Sequence, residues 1–311
     1  MGSDRPRYRN WLSDSARWND FSFRPGDIVI STPSKCGTTW MQMICALLIF
    51  QDPNLDRSLS EISPWLDMLI RSRAEVFALL EAQRHRRFIK THTPLDGLPM
   101  DDSVTYICVG RDPRDAAISM IRHRENMNSE VFHAAVERAV RLDGVDDPIL
   151  LKPQPLPETL EERFWYWMDN PSPVTESASS LRNTLHHFEE ALWARDRENV
   201  LVLHYGDLKA DTEAEMRGLA ARLRIEIAEQ SWGRLVEAAS FESMRARAAE
   251  LAPDARKDIW KEPQQFFRSG MGGHWRAFFD DAAQRRYEAR VAALTSPEVA
   301  AWAHCGRQRE E

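Results

Sequence analysis

The sequence predicts an α/β protein built on a central, mostly parallel sheet flanked by helices. Segments rich in β-branched and apolar residues recur at Asp27 to Thr32, Arg87 to Thr91, Val104 to Gly110 and Val200 to Tyr205, and a helical pattern follows each. Strands alternating with helices imply parallel pairing. The run Val104-Thr105-Tyr106-Ile107-Cys108-Val109 also lacks polar alternation, as expected of a strand covered on both faces.

After the first strand, Trp40, Met43, Ile44, Leu47 and Leu48 repeat at helical spacing, with Thr38 or Thr39 available as cap. After the third, Asp112 is placed to cap a helix with Pro113 at its first position, running through Ile118 and Ile121. The segment 143–157 contains Lys152-Pro153-Gln154-Pro155-Leu156-Pro157, whose prolines forbid a regular element, and reads as a surface excursion. Beyond Asp211 amphipathic helix dominates, broken near Phe267 to Gly273, where glycines permit a loop beside a ligand. We expect one domain over residues 1–311, with 255–273 as a lid over the ligand.

With 43% hydrophobic and 29% charged residues, the 311-residue chain has the composition of an ordinary globular protein. A net charge of -7 argues against general nucleic-acid binding. Any anion site must therefore be local. The longest apolar run, Met43 to Phe50, falls far short of the ~20 residues that span a bilayer, and the polar start carries no export signal, so we expect a cytoplasmic protein. Cys36, Cys45, Cys108 and Cys305 have no metal-ligand spacing, which predicts free thiols and no metal.

Three segments carry chemistry. Pro33-Ser34-Lys35-Cys36-Gly37-Thr38-Thr39-Trp40 joins a strand to a helix, so helix-start amides and Lys35 can hold an anion, though an ordinary turn with an exposed lysine has the same pattern. Arg111, with Ser119 eight residues later, places a guanidinium at a strand's carboxyl end; the alternative is an ion pair between Arg111 and Asp115. Lys90-Thr91-His92 delivers a cation and a proton acceptor to the end of another strand, although a lone histidine is more often a polar surface or capped core residue.

Together these segments resemble the cytosolic-type sulfotransferases, whose phosphosulfate loop reads PKSGTTW, whose acid–base strand reads KTHLP, and whose 3′-phosphate element is an Arg with a Ser eight residues on. Tyr205-Gly206-Asp207 and Arg268-Ser269-Gly270-Met271-Gly272-Gly273-His274-Trp275 match two later features, so the resemblance spans about residues 20–285. The chain is most similar to the mycobacterial glycolipid-type branch. The resemblance implies a P-loop-like three-layer fold and the donor 3′-phosphoadenosine-5′-phosphosulfate (PAPS). It assigns Lys35, Cys36, Gly37, Thr38 and Thr39 to the 5′-phosphosulfate and Trp40 to adenine. It gives Arg111, Ser119, Arg268, Ser269 and Gly270 to the 3′-phosphate, and Tyr205, Ser240 and Phe241 to the base. His92 is implied as general base, with Lys35 and Lys90 stabilising the leaving oxygen.

The chain departs from the family pattern in places. Cys36 replaces Ser, which allows either a reactive thiol of lowered pKa or a plain substitute. Ser34 is an insertion, Ser269 replaces a Lys, His274 replaces an Asp, and a KTVE-like dimer motif is missing, leaving oligomeric state open. A P-loop kinase would require a Walker lysine and a magnesium carboxylate in register, which the sequence lacks. A non-catalytic nucleotide-binding module would not need Lys90 and His92. The expected acceptor is a small lipophilic, glycolipid or aryl alcohol. Phe164-Trp165-Tyr166-Trp167 is a candidate wall for its pocket, with core packing the alternative.

Overall fold

A computed structural model describes residues 5–145, 157–253, 258–268 and 272–307. Four strands, β1 (Ile28–Ser31), β2 (Phe88–Thr91), β3 (Thr105–Gly110) and β4 (Val200–His204), form one wholly parallel sheet in the order β2-β1-β3-β4. Its side chains alternate between two apolar layers. Ile28, Ile30, Ile107, Val109, Leu201 and Leu203 face one layer, which includes the Thr38–Phe50 and Trp232–Ala239 helices. Val29, Ile89, Tyr106, Cys108 and Val200 face the other. Burial on both faces explains why β3 shows no polar alternation.

Each strand begins one residue later than the composition suggested, except β4. At the sheet's entry edge Asp27 and Arg87 precede Ile28 and Phe88 and form a buried ion pair, closed by Arg87 Nε donating to Asp27 Oδ1 at 2.9 Å. Tyr205 belongs to the Tyr205–Ala210 helix rather than to β4. The Pro113–Asn126 helix starts as expected, with Asp112 accepting the Arg114 amide. The Thr38–Phe50 helix does not: its cap is Gly37, in the left-handed region at φ 97°, and it has no side-chain cap. Thr38 instead bonds its hydroxyl to that of Thr32.

The N-terminal segment is tied to the rest of the domain through Tyr8. Tyr8 donates to Asp96 at 2.7 Å and contacts His186 at 2.8 Å, anchoring Trp11 and Leu12 nearby. Most of the expected excursion, residues 146–156, lies outside the described residues, as do 254–257 and 269–271 of the expected lid. Among the described residues no helix is long and apolar enough to cross a membrane.

Removing one partner of a buried ion pair strands the other's charge. Asp27→Ala is therefore expected to destabilise the protein by about 3–5 kcal/mol in urea unfolding, and the double change Asp27→Leu with Arg87→Met by less.

Candidate active site

All four strands end at the same edge, where an open sheet presents its ligands. The loop after β1 carries two left-handed residues, Lys35 at φ 69° and Gly37 at φ 97°. A Cβ on Gly37 would lie 3.0 Å from the Tyr205 ring, so close packing as well as backbone conformation requires glycine there. The uncapped first-turn amides of the Thr38–Phe50 helix and the Lys35 ammonium face the same space. Lys35 Nζ lies 4.6 Å above the Phe266 ring and donates to His123 Nδ1 at 3.3 Å. Burial, with Arg111 and Lys90 close by, pulls its pKa down to about 7. Cys36 turns the other way, fully buried in the layer formed with Ala116, Ala117 and Ile118. Burial pushes its thiol up to about 12, so the lowered pKa allowed by the sequence is overturned: desolvation outweighs the neighbouring cations.

At the end of β2, His92 Nδ1 lies 2.6 Å from the Thr32 carbonyl oxygen. A carbonyl only accepts, so Nδ1 carries the proton and Nε2 keeps its lone pair. Burial and the Lys90 charge hold the imidazole well below its usual range, hence neutral. The His92 ring meets the Trp65 ring edge-on at 4.3 Å, and Lys90 Nζ sits 4.3 Å over that indole. Trp65 is in turn fixed by Asp67, a fully buried carboxylate. Asp67 accepts from Trp65 Nε1 at 2.6 Å, Trp18 Nε1 at 2.9 Å, Thr91 Oγ1 at 2.6 Å and Thr93 Oγ1 at 2.7 Å. Four donors satisfy one buried anion and thereby orient the residues around His92.

From β3 and β4, Arg111 packs 4.5 Å over the Tyr205 ring and donates to the Lys35 carbonyl at 3.1 Å, while its buried Nε finds no partner among the described residues. The Arg111–Asp115 ion pair considered above does not form. Asp115 accepts the Gly273 amide at 2.6 Å, and Arg114 pairs with Asp112 at 2.7 Å. Tyr205 meets Trp40 edge-on at 5.2 Å, and Trp40 Nε1 donates to the Ala239 carbonyl, bringing Ser240 and Phe241 to the rim.

One cavity of about 490 Å³ joins these pieces. Lys35, Gly37, Thr38, Thr39, Trp40, Lys90, His92, Arg111, Ser119, Tyr205, Ser240, Phe241 and Arg268 all line it. Cys36 does not, and Ser269 and Gly270 lie outside the described residues. The aromatic run Phe164 to Trp167 is also absent from its wall; Phe164 and Trp167 are buried core and Tyr166 is exposed. The apolar end is built instead from Trp11, Trp65, Met68, Met127, Trp260 and Phe266. None of these belongs to a motif. His123 was legible in principle, because it follows Ser119 by four residues and so shares its helix face.

Asp67→Asn keeps the shape but turns an amide donor toward either the indole or the hydroxyl donors. We expect a loss of about 1–3 kcal/mol of stability in chemical denaturation.

A family model described as a sulfotransferase domain matches residues 25–296. A glycolipid sulfotransferase of Mycobacterium bovis is 42% identical, covering 98% of this chain and 96% of the relative, and one from Mycobacterium tuberculosis is 41% identical with the same coverage. In fold, the chain resembles a retinol dehydratase crystallised with retinol and PAP, with a TM-score of 0.68 and 22% identity over 91% of this chain and 85% of that one. A mouse sulfotransferase complexed with PAP gives a TM-score of 0.65 and 19% identity over 93% and 94%. On the domain match and the near full-length identity, this chain belongs to the sulfotransferase family.

Proposed function

We propose that the protein transfers a sulfuryl group from PAPS to a hydroxyl of a lipophilic acceptor, with His92 as general base. The observation that carries this reading is the bond from His92 Nδ1 to the Thr32 carbonyl, which directs an unprotonated Nε2 into a cavity lined by Lys35 and Lys90. The cavity wall is drawn from Trp11 to His274, which supports treating residues 1–311 as one catalytic domain. The identity to glycolipid sulfotransferases and the apolar wall support a lipid-type or aryl alcohol as acceptor.

The residues present fit an anionic nucleotide: Arg111 Nε is buried without a partner among the described residues, and the helix-start amides have no side-chain cap. Arg111, Ser119 and Arg268 would hold the 3′-phosphate; Trp40, Tyr205, Ser240 and Phe241 would enclose the base; Lys35 with the Gly37 to Thr39 backbone would hold the phosphosulfate. When bound, PAPS supplies a sulfuryl group joined to its 5′-phosphate through a bridging oxygen. His92 Nε2 takes the acceptor's hydroxyl proton as the new oxygen–sulfur bond forms and the bond to the bridging oxygen breaks. Lys35 and Lys90 stabilise the electron pair left on that oxygen, which departs with adenosine 3′,5′-bisphosphate (PAP). For Lys35 this means exchanging His123 for the anion.

His92→Ala is expected to lower turnover by about 10²–10⁴-fold, measured as label transferred from PAPS to a panel of lipid, sugar and phenolic alcohols. Full turnover in that variant would remove His92 as base. PAP binding should also take up a proton, because an anion raises the Lys35 pKa from its depressed value near 7. Affinity is then greatest below pH 7 and weakens above it by up to about tenfold per pH unit. Lys35→Met should abolish this dependence in calorimetry.

A further inference from the structure

Building on the sulfuryl-transfer reading, we propose that the acceptor carries an oxyanion that Arg124 binds in the apolar part of the cavity. The Pro113–Asn126 helix runs the length of the site. Ser119 faces the phosphate region, His123 meets Lys35 one turn later, and Arg124 lies in the last turn. At 1.5 Å per residue, Arg124 is roughly 7–8 Å further along the axis than Ser119. There the wall is apolar, built from Trp11, Leu12, Met127 and Phe132.

Within that wall Arg124 is partly buried, with its guanidinium 6.0 Å from the Trp11 ring. Among the described residues its side chain has no hydrogen bond and no carboxylate within ion-pair distance. Neighbouring cations are engaged otherwise: Arg122 bonds Glu125 at 2.9 Å, and Lys35 bonds His123. The carboxylates in the wall do not answer Arg124, since Asp115 accepts the Gly273 amide and Glu242 sits on the helix that follows Ser240 at the nucleotide rim. Burial without a counter-charge depresses its pKa, as the other observations require.

A partly desolvated guanidinium in an apolar wall is costly alone and favourable with a carboxylate, phosphate or sulfate in its fork. In the sulfuryl-transfer reading the nucleotide's own charges already have Lys35, Arg111 and Arg268. Among the described residues Arg124 is thus a cation without a counter-charge, and the acceptor it suits is an amphiphile with a hydroxyl at one end and an oxyanion elsewhere.

The test uses a matched pair, 12-hydroxydodecanoate and dodecane-1,12-diol, with the full chain. Binding to the PAP-loaded protein is measured by calorimetry, and transfer by label from PAPS. The acid is expected to bind at least about tenfold more tightly than the diol, as a charged hydrogen bond allows. Arg124→Gln should reduce that ratio to near one, while Arg124→Lys should keep much of it; melting temperatures establish that both variants fold. Equal binding of acid and diol by the wild type, or a preference that survives in Arg124→Gln, overturns the proposal while leaving sulfuryl transfer intact. An Arg124-dependent preference with label passing to neither compound supports the oxyanion site and counts against the transfer reading.

Discussion

Parallel pairing of β1 with both β2 and β3, and of β3 with β4, is the constraint on which the site depends. It brings Lys35, His92, Arg111 and Tyr205, which lie far apart in the chain, to one edge of one sheet. The same convergence has an electrostatic cost, because several cations share a poorly hydrated space. The structure answers with ring faces: Lys35 lies over Phe266, Lys90 over Trp65 and Arg111 over Tyr205. A π-face attracts a cation without cancelling its charge, so the field remains for an incoming anion. Mutual repulsion among these cations also means that anion binding relieves strain as well as adding contacts.

Support for this strand edge comes from a second layer. The carboxylate of Asp67 lies beneath Trp65, Thr91 and Thr93 and ties the strand end carrying His92 to the N-terminal Trp18. This polar knot is fully satisfied, which is the condition under which a buried anion specifies geometry rather than weakening the core. Lys35 stands outside this knot, with its ammonium on His123.

Much of the fold was legible because parallel strands need apolar residues on both sides, and 27–32, 87–91, 104–110 and 200–205 have them. Boundaries were less so: Asp27 and Arg87 read as strand residues but satisfy each other just outside the ladder. The end of the cavity lined by Lys35, Gly37, Thr38, Arg111 and Ser119 was visible in short local motifs, since a loop, a helix start and an Arg–Ser pair each make sense within ten residues. The apolar end was not. Trp11, Trp65, Arg124 and Trp260 meet only through tertiary packing, and the conspicuous aromatic run at Phe164 to Trp167 was claimed by the core instead. The Thr38 cap failed for a related reason, because Thr32, six residues earlier, competes for its hydroxyl.

The orientation of Cys36 has a practical consequence. With its sulfur turned into the core, and Cys45 and Cys108 likewise buried, Cys305 near the chain's end is the exposed thiol of the four. A maleimide dye or spin label would therefore attach there under native conditions, away from the cavity, giving a single-site reporter without any engineered cysteine.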